Sequence, residues 1–125
     1  MALPLLTWAS MSHTEHLESP AVPFSQGVRF WVWNQAKAGD GLELSENGIF
    51  LKTASVESEG QHVTVRLELP NEERFTVLGK VVRTVKGGLI AAAGMGIRFM
   101  DLTPSQRQSI GQFVAMRSGA GLIAA

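Results

Sequence analysis

The clearest regularity along the chain is an alternation of apolar and polar positions with period two, the pattern of half-buried β-strands. From Val63 to Leu69 the sorting is clean: Val63, Val65, Leu67 and Leu69 face one way, and Thr64, Arg66 and Glu68 the other. Pro70 stops the run, Asn71, Glu72 and Glu73 form a polar turn, and a second run spans Phe75 to Val85, so the two form a hairpin. Val28 to Asn34 repeats the pattern, with Val28, Phe30 and Val32 on one face and Arg29, Trp31 and Trp33 on the other. Gly39, Asp40 and Gly41 read as a turn before a short strand, Leu42 to Leu44, and Gly48 opens another, Ile49 to Thr53. Lys86, Gly87 and Gly88 turn the chain into a last strand, Leu89 to Met100, where Gly94 and Gly96 suggest a bulge or a bend.

Six short strands with small connections favour a closed antiparallel barrel, because closure removes exposed sheet edges. One helix follows. Thr103 is a good N-cap, Pro104 suits the first helical position, and Gln106 completes a capping box. Ile110, Phe113, Val114 and Arg117 recur at three and four, which puts an apolar stripe against the barrel and leaves Arg107 and Gln108 in water. Gly119 is a natural terminator. The expected class is therefore all-β with a C-terminal helix over residues 28–118, with 119–125 as a tail. Residues 1–27 read as a partly ordered leader: they hold Pro4, Pro20, Pro23, Glu15 and Glu18 but neither Lys nor Arg. Leu5, Leu6, Trp8 and Phe24 are its groups able to dock on the domain.

Composition narrows the function classes. A length of 125 residues fits one domain with a core of its own. Eleven Lys plus Arg balance eleven Asp plus Glu, so no global field draws in a nucleic-acid polymer or an anionic membrane. Cysteine is absent, which removes disulfides, thiolate metal sites and a cysteine nucleophile together. No apolar run reaches the roughly 18 residues of a membrane span, and Met1 to Met11 lacks the basic start of a signal peptide. The expectation is a cytoplasmic chain without membrane insertion. His13 and His16, three apart, would share one helical face, but no third metal ligand is spaced to join them. No nucleophile elbow and no dinucleotide-binding glycine loop occurs, so neither an enzyme nor a resident cofactor is expected.

The informative stretch runs from Glu43 to Thr53. Glu43 and Ser45 stand two apart on one strand face, and Gly48, three further on, permits a tight turn. Such a face can present a carboxylate and a hydroxyl to a flat ligand. The same residues equally make a β-turn in which Ser45 and Asn47 bond local backbone, and spacing alone favours this second reading.

The run resembles the second ligand motif of PilZ domains, an Asp or Asn, one residue, Ser, two residues, then Gly, ahead of a short apolar strand. The resemblance continues through Leu67 to Pro70, Gly79 to Arg83, Gly94 to Phe99 and the capped helix, covering roughly residues 28–118. It implies a six-stranded antiparallel barrel with a C-terminal helix and, for the family, a bacterial receptor coupling cyclic di-GMP to motility, pili or polysaccharide export.

Two departures bear on that implication. Ligand-binding members carry an Arg, three residues, Arg motif before the first strand, whose guanidinium forks clasp phosphate and stack on guanine. Residues 1–28 contain neither Arg nor Lys, and Glu43 stands where the family has Asp or Asn. Charged hydrogen bonds are worth about 1.5–3 kcal/mol each and about 1.4 kcal/mol is tenfold in affinity, so losing two Arg weakens dinucleotide binding by several orders of magnitude. The expectation is a degenerate member that binds no cyclic di-GMP and acts on a protein partner, in a process such as motility or type IV pilus control. Arg29, Trp31 and Trp33 are the partner-binding candidates, being residue types enriched at interface hot spots. The alternative is a cyclic di-GMP receptor with a remodelled site drawing on Ser45, Asn47, Gly48, Arg29, Arg83 and Arg98.

Overall fold

The computed structural model describes residues 21–70, 73–88 and 92–117. The strands are β1 (Val22–Pro23), β2 (Gly27–Val32), β3 (Gln35–Ser45), β4 (Gly48–Lys52), β5 (His62–Glu68), β6 (Arg74–Val85) and β7 (Gly94–Met100), followed by helix α1 (Pro104–Arg117). Every pairing is antiparallel, in the order β2–β3–β4–β7–β6–β5 and back to β2. That circuit closes a six-stranded barrel, the architecture expected from the alternation, and β1 adds an outer strand on β3. Phe30, Ile49, Leu51, Val65, Val81 and Ile97 are essentially inaccessible and fill the interior.

The hairpin expected from Val63 and Phe75 forms as β5–β6, closed where the Leu69 N–H donates to the Glu73 carbonyl at 2.7 Å. Three local expectations change. Gly39, Asp40 and Gly41 do not turn the chain but lie inside the eleven-residue β3. These glycines serve close approach: a Cβ on Gly41 would sit 2.6 Å from the Phe24 ring, and one on Gly39 2.9 Å from the Lys52 carbonyl. The reversal comes earlier, at Trp33 and Asn34, between the paired Val32 and Gln35. Trp33 therefore leaves the strand and takes a positive φ of 57° at the first loop position. Glycine is the residue normally found there. The expected irregularity at Gly94 and Gly96 lies instead on the facing strand, where the register slips between Val81 and Arg83 opposite Ile97 and Gly96. The last strand occupies Gly94–Met100; Leu89 to Ala91 lie outside the described residues.

A second slip, between Gly41 and Glu43, divides β3. Its first half pairs with β2, whereas Glu43 and Leu44 pair with β1. Phe24, fully buried, thus belongs to the packed body although it falls in the stretch read as a leader. Its ring meets Phe113 edge-on, with centroids 5.5 Å apart and planes at 86°. The helix starts as its capping box dictates: the Gln106 N–H donates to Thr103 Oγ1, and the Thr103 N–H to Gln106 Oε1, each at 3.1 Å. Ile110 and Val114 are buried, Phe113 is partly buried under the Arg117 guanidinium, and Arg107 and Gln108 are exposed. Asp101, at φ 58°, supplies the sharp exit from β7 that aims the helix back. No helix among the described residues is long and apolar enough to cross a membrane. His13, His16, Leu5, Leu6, Trp8, Gly119 and the 119–125 tail lie outside the described residues.

Candidate functional site

Strand register decides which of the candidate residues meet. One rung across the outside of the barrel reads Ser45, Gly48, Arg98, Lys80 and His62. The adjacent rung reads Glu43, Phe50, Gly96 and Arg83. Side chains two apart on a strand share a face, so Glu43 joins Ser45, and Arg98 joins the glycine pair of β7. Gly48 on β4 and Arg98 on β7 are neighbours on the outside of the barrel, whereas Ser45 on β3 and Arg83 on β6 stand half the six-strand circuit apart. Asn47 sits in the β3–β4 turn, where its carbonyl accepts the Phe99 N–H at 2.7 Å. Arg29 does not belong there. It lies on β2 between Ala38 and Arg66, elsewhere on the barrel.

A Cβ on Gly94 would lie 2.6 Å from the Leu51 carbonyl and 2.9 Å from the Phe50 ring, so the absence of a side chain lets Phe50 lie down over β7. A Cβ on Gly48 would collide with the Ile97 carbonyl. The motif glycine thus has a purely structural reason: it lets β4 approach β7. Phe50 is the residue that sequence reasoning missed. It interrupts the all-inward look of Ile49–Leu51, and the signal for it was the spacing of Gly94 and Gly96 by two on the facing strand.

Ser45 has local partners. Its Oγ accepts the Asn47 N–H at 3.1 Å and donates to the Gly48 carbonyl at 3.5 Å. This is the β-turn reading of the motif, in which the hydroxyl serves the hairpin. Glu43 is different. Its Oε1 is buried with no hydrogen-bond partner, and desolvation pushes its carboxyl above the usual carboxylate range. Arg83 Nε is likewise buried and unpartnered, on the far side of Phe50 from Glu43. Three interstrand steps separate them, half the barrel's circuit and about 14 Å measured along the sheet. The row thus runs from Glu43 past the buried Phe50 ring to Arg83, with the Glu43 Oε1 and Arg83 Nε atoms both withdrawn from solvent.

The Arg29, Trp31 and Trp33 candidates define a second region. Arg29 is exposed, Trp31 is half-buried, and Trp33 is 86% exposed in its turn. Both Trp residues line an open depression of about 470 Å³ together with Gly60, His62, Thr64 and Leu78. No group of three metal-ligating side chains occurs among the described residues.

Comparison with known proteins gives a consistent result. A family model described as PilZ domain matches residues 34–116. No curated protein matches the chain. Among solved structures, the PilZ domain with c-di-GMP of YcgR from Escherichia coli superposes with a TM-score of 0.68 at 9% identity, covering 85% of this chain and 94% of that one. The Bacillus subtilis inhibitor of motility (MotI/DgrA) gives 0.73 at 14% identity over 81% of this chain and 50% of that one. The PilZ domain of CeSA from a cellulose-synthesizing bacterium gives 0.56 at 15% identity over 82% and 98%. At such identities these structures establish the fold.

Proposed function

The chain belongs to the PilZ domain family, and from that membership we propose that it is a cytoplasmic regulatory module that works by contacting a protein and binds no cyclic di-GMP. PilZ domains are regulatory modules, usually receptors for that dinucleotide in motility and cellulose systems, and not enzymes. One observation carries the departure from the usual role: the 28 residues ahead of Arg29 hold no Arg or Lys. No paired guanidinium forks are available there to clasp two phosphates and stack on guanine. One feature of the motif face supports the same reading: the Ser45 hydroxyl is engaged by its own turn. Motility or type IV pilus control is the process in which we place the module. Equilibrium dialysis against labelled cyclic di-GMP tests it: no saturable retention is expected, and saturation in the micromolar range overturns it.

A specific observation favours a second reading, a receptor with a remodelled site. Glu43 Oε1 and Arg83 Nε are buried and unpartnered, and burying such groups is costly until something pairs them. This reading uses Arg83, Arg98, Ser45, Asn47 and Gly48. It requires a measurable dinucleotide affinity that Arg83→Ala or Ser45→Ala weakens.

A further inference from the structure

We propose that the outer face of β5, with its neighbours β2 and β6, binds an extended acidic segment of a protein partner, seating an apolar side chain beside Trp31 and Leu78. The inference rests on the protein-contact reading above and names the surface and the partner's chemistry.

Three consecutive rungs carry it. In the first, Arg29 on β2 stands directly opposite Arg66 on β5. In the second, Trp31 faces Thr64, Thr64 faces Leu78, and Leu78 faces Met100. In the third, His62 faces Lys80, and Lys80 faces Arg98. Like charges directly opposite each other destabilise a sheet, and this face holds two such pairs although the chain as a whole is neutral. Within the strands, from the Glu68–Arg74 rung to the Lys80–Arg98 rung, five cations stand against one carboxylate, Glu68, which pairs with Arg66 Nε at 3.4 Å, and exposed Asp101 follows just past the end of β7. Charge has been collected here at a cost to the sheet.

The middle rung is apolar and open. Leu78 is 40% exposed, and the depression beside it is walled by Trp31 and by Trp33. Trp33 is held at positive φ with its indole in water, an expensive arrangement for a bulky residue and of a kind that concentrates at binding sites. Consecutive rungs are about 7 Å apart. An extended partner strand places alternate side chains at that same interval, so acidic residues at the first and fifth positions meet the two basic rungs while an apolar residue at the third enters the depression. An acidic partner is attracted by this pattern, and a basic one is rejected.

The test uses the full chain and a short synthetic peptide with an Asp-Thr-Phe-Thr-Asp centre, beside a control in which both Asp are Lys. Binding is read from tryptophan fluorescence as salt is varied. The Asp peptide should saturate, weaken as salt rises, and bind about tenfold less well to an Arg29→Glu, Lys80→Glu double variant. That variant should keep or raise the thermal midpoint, because each change turns a like-charge cross-strand pair into an opposite one. No saturation, or equal binding of both peptides, overturns the proposal. So does an oligothymidylate that binds this face more tightly than the peptide. Cyclic di-GMP added alone separates the two levels: saturable binding defeats the protein-contact reading, whereas peptide failure without dinucleotide binding defeats only the choice of face and partner.

Discussion

Replacing Phe24 with alanine tests whether the segment ahead of β2 is part of the folded body. Phe24 is fully buried, its edge meets the Phe113 ring at 5.5 Å, and its own ring lies over Gly41. Alanine keeps the backbone bond from the Phe24 N–H to the Leu42 carbonyl at 2.9 Å, so the loss isolates the side chain. Removing a buried Phe side chain costs about 3–5 kcal/mol through lost transfer energy and the cavity left behind. The edge-to-face contact, about 0.5–1.5 kcal/mol, falls within that figure. The wall over Gly41 has no side chain of its own, and Phe113 is itself held by the Arg117 guanidinium at 5.3 Å, so the site collapses poorly and the upper part of the range applies. Against a total stability of about 5–15 kcal/mol this is a large fraction. Urea unfolding followed by far-ultraviolet circular dichroism should show a markedly lower midpoint with an unchanged slope, and the thermal midpoint should fall by about 12 °C or more. A loss below about 1 kcal/mol would refute the docking of Phe24 between β3 and α1.

Three other outcomes follow from particular contacts. Gly48→Ala should cost about 1–3 kcal/mol, because its Cβ meets the rigid Ile97 carbonyl rather than a movable side chain; an unchanged urea midpoint would contradict the close β4–β7 approach. Glu43 carries a raised folded-state pKa from desolvation, so its contribution to stability is fully present below the unfolded carboxylate value and is lost as pH rises through the raised one. The Glu43→Gln variant should flatten that part of the stability–pH curve and be the more stable protein at neutral pH, which parallel denaturation series at acidic and neutral pH will show or deny. Thr103→Ala removes the Oγ1 that accepts the Gln106 N–H, and should cost about 1 kcal/mol by thermal melting, with no change indicating that the capping box does not hold the helix start.

How much of this was legible in the sequence depends on the distance over which each feature is decided. The β5–β6 hairpin, the interior faces of β2 and β5 and the Thr103–Gln106 cap are local, and alternation or capping chemistry exposed them. The barrel also followed, since six short strands leave few other ways to hide edges. Gly39 and Gly41 misled because their reason is tertiary: Lys52 and Phe24 press against them from other segments. Phe24 was recognisable as a group able to dock, but its partner Phe113, at the far end of the domain, was not. At the motif face, Ser45 and Gly48 could be picked out by spacing, but the row from Glu43 through Phe50 to Arg83 appears only when β7 is laid between β4 and β6. The paired cations at Arg29–Arg66 and Lys80–Arg98 are invisible in one dimension, because balanced composition conceals where the charges collect.

The most direct test of the account is isothermal titration of the full chain with cyclic di-GMP to hundreds of micromolar at moderate salt. The PilZ domain of YcgR, solved with that dinucleotide, serves as the positive control under the same conditions. This chain should give dilution heat alone while the control saturates. Heat of defined stoichiometry from this chain would contradict that expectation, and would show that the barrel binds the dinucleotide without an upstream Arg pair.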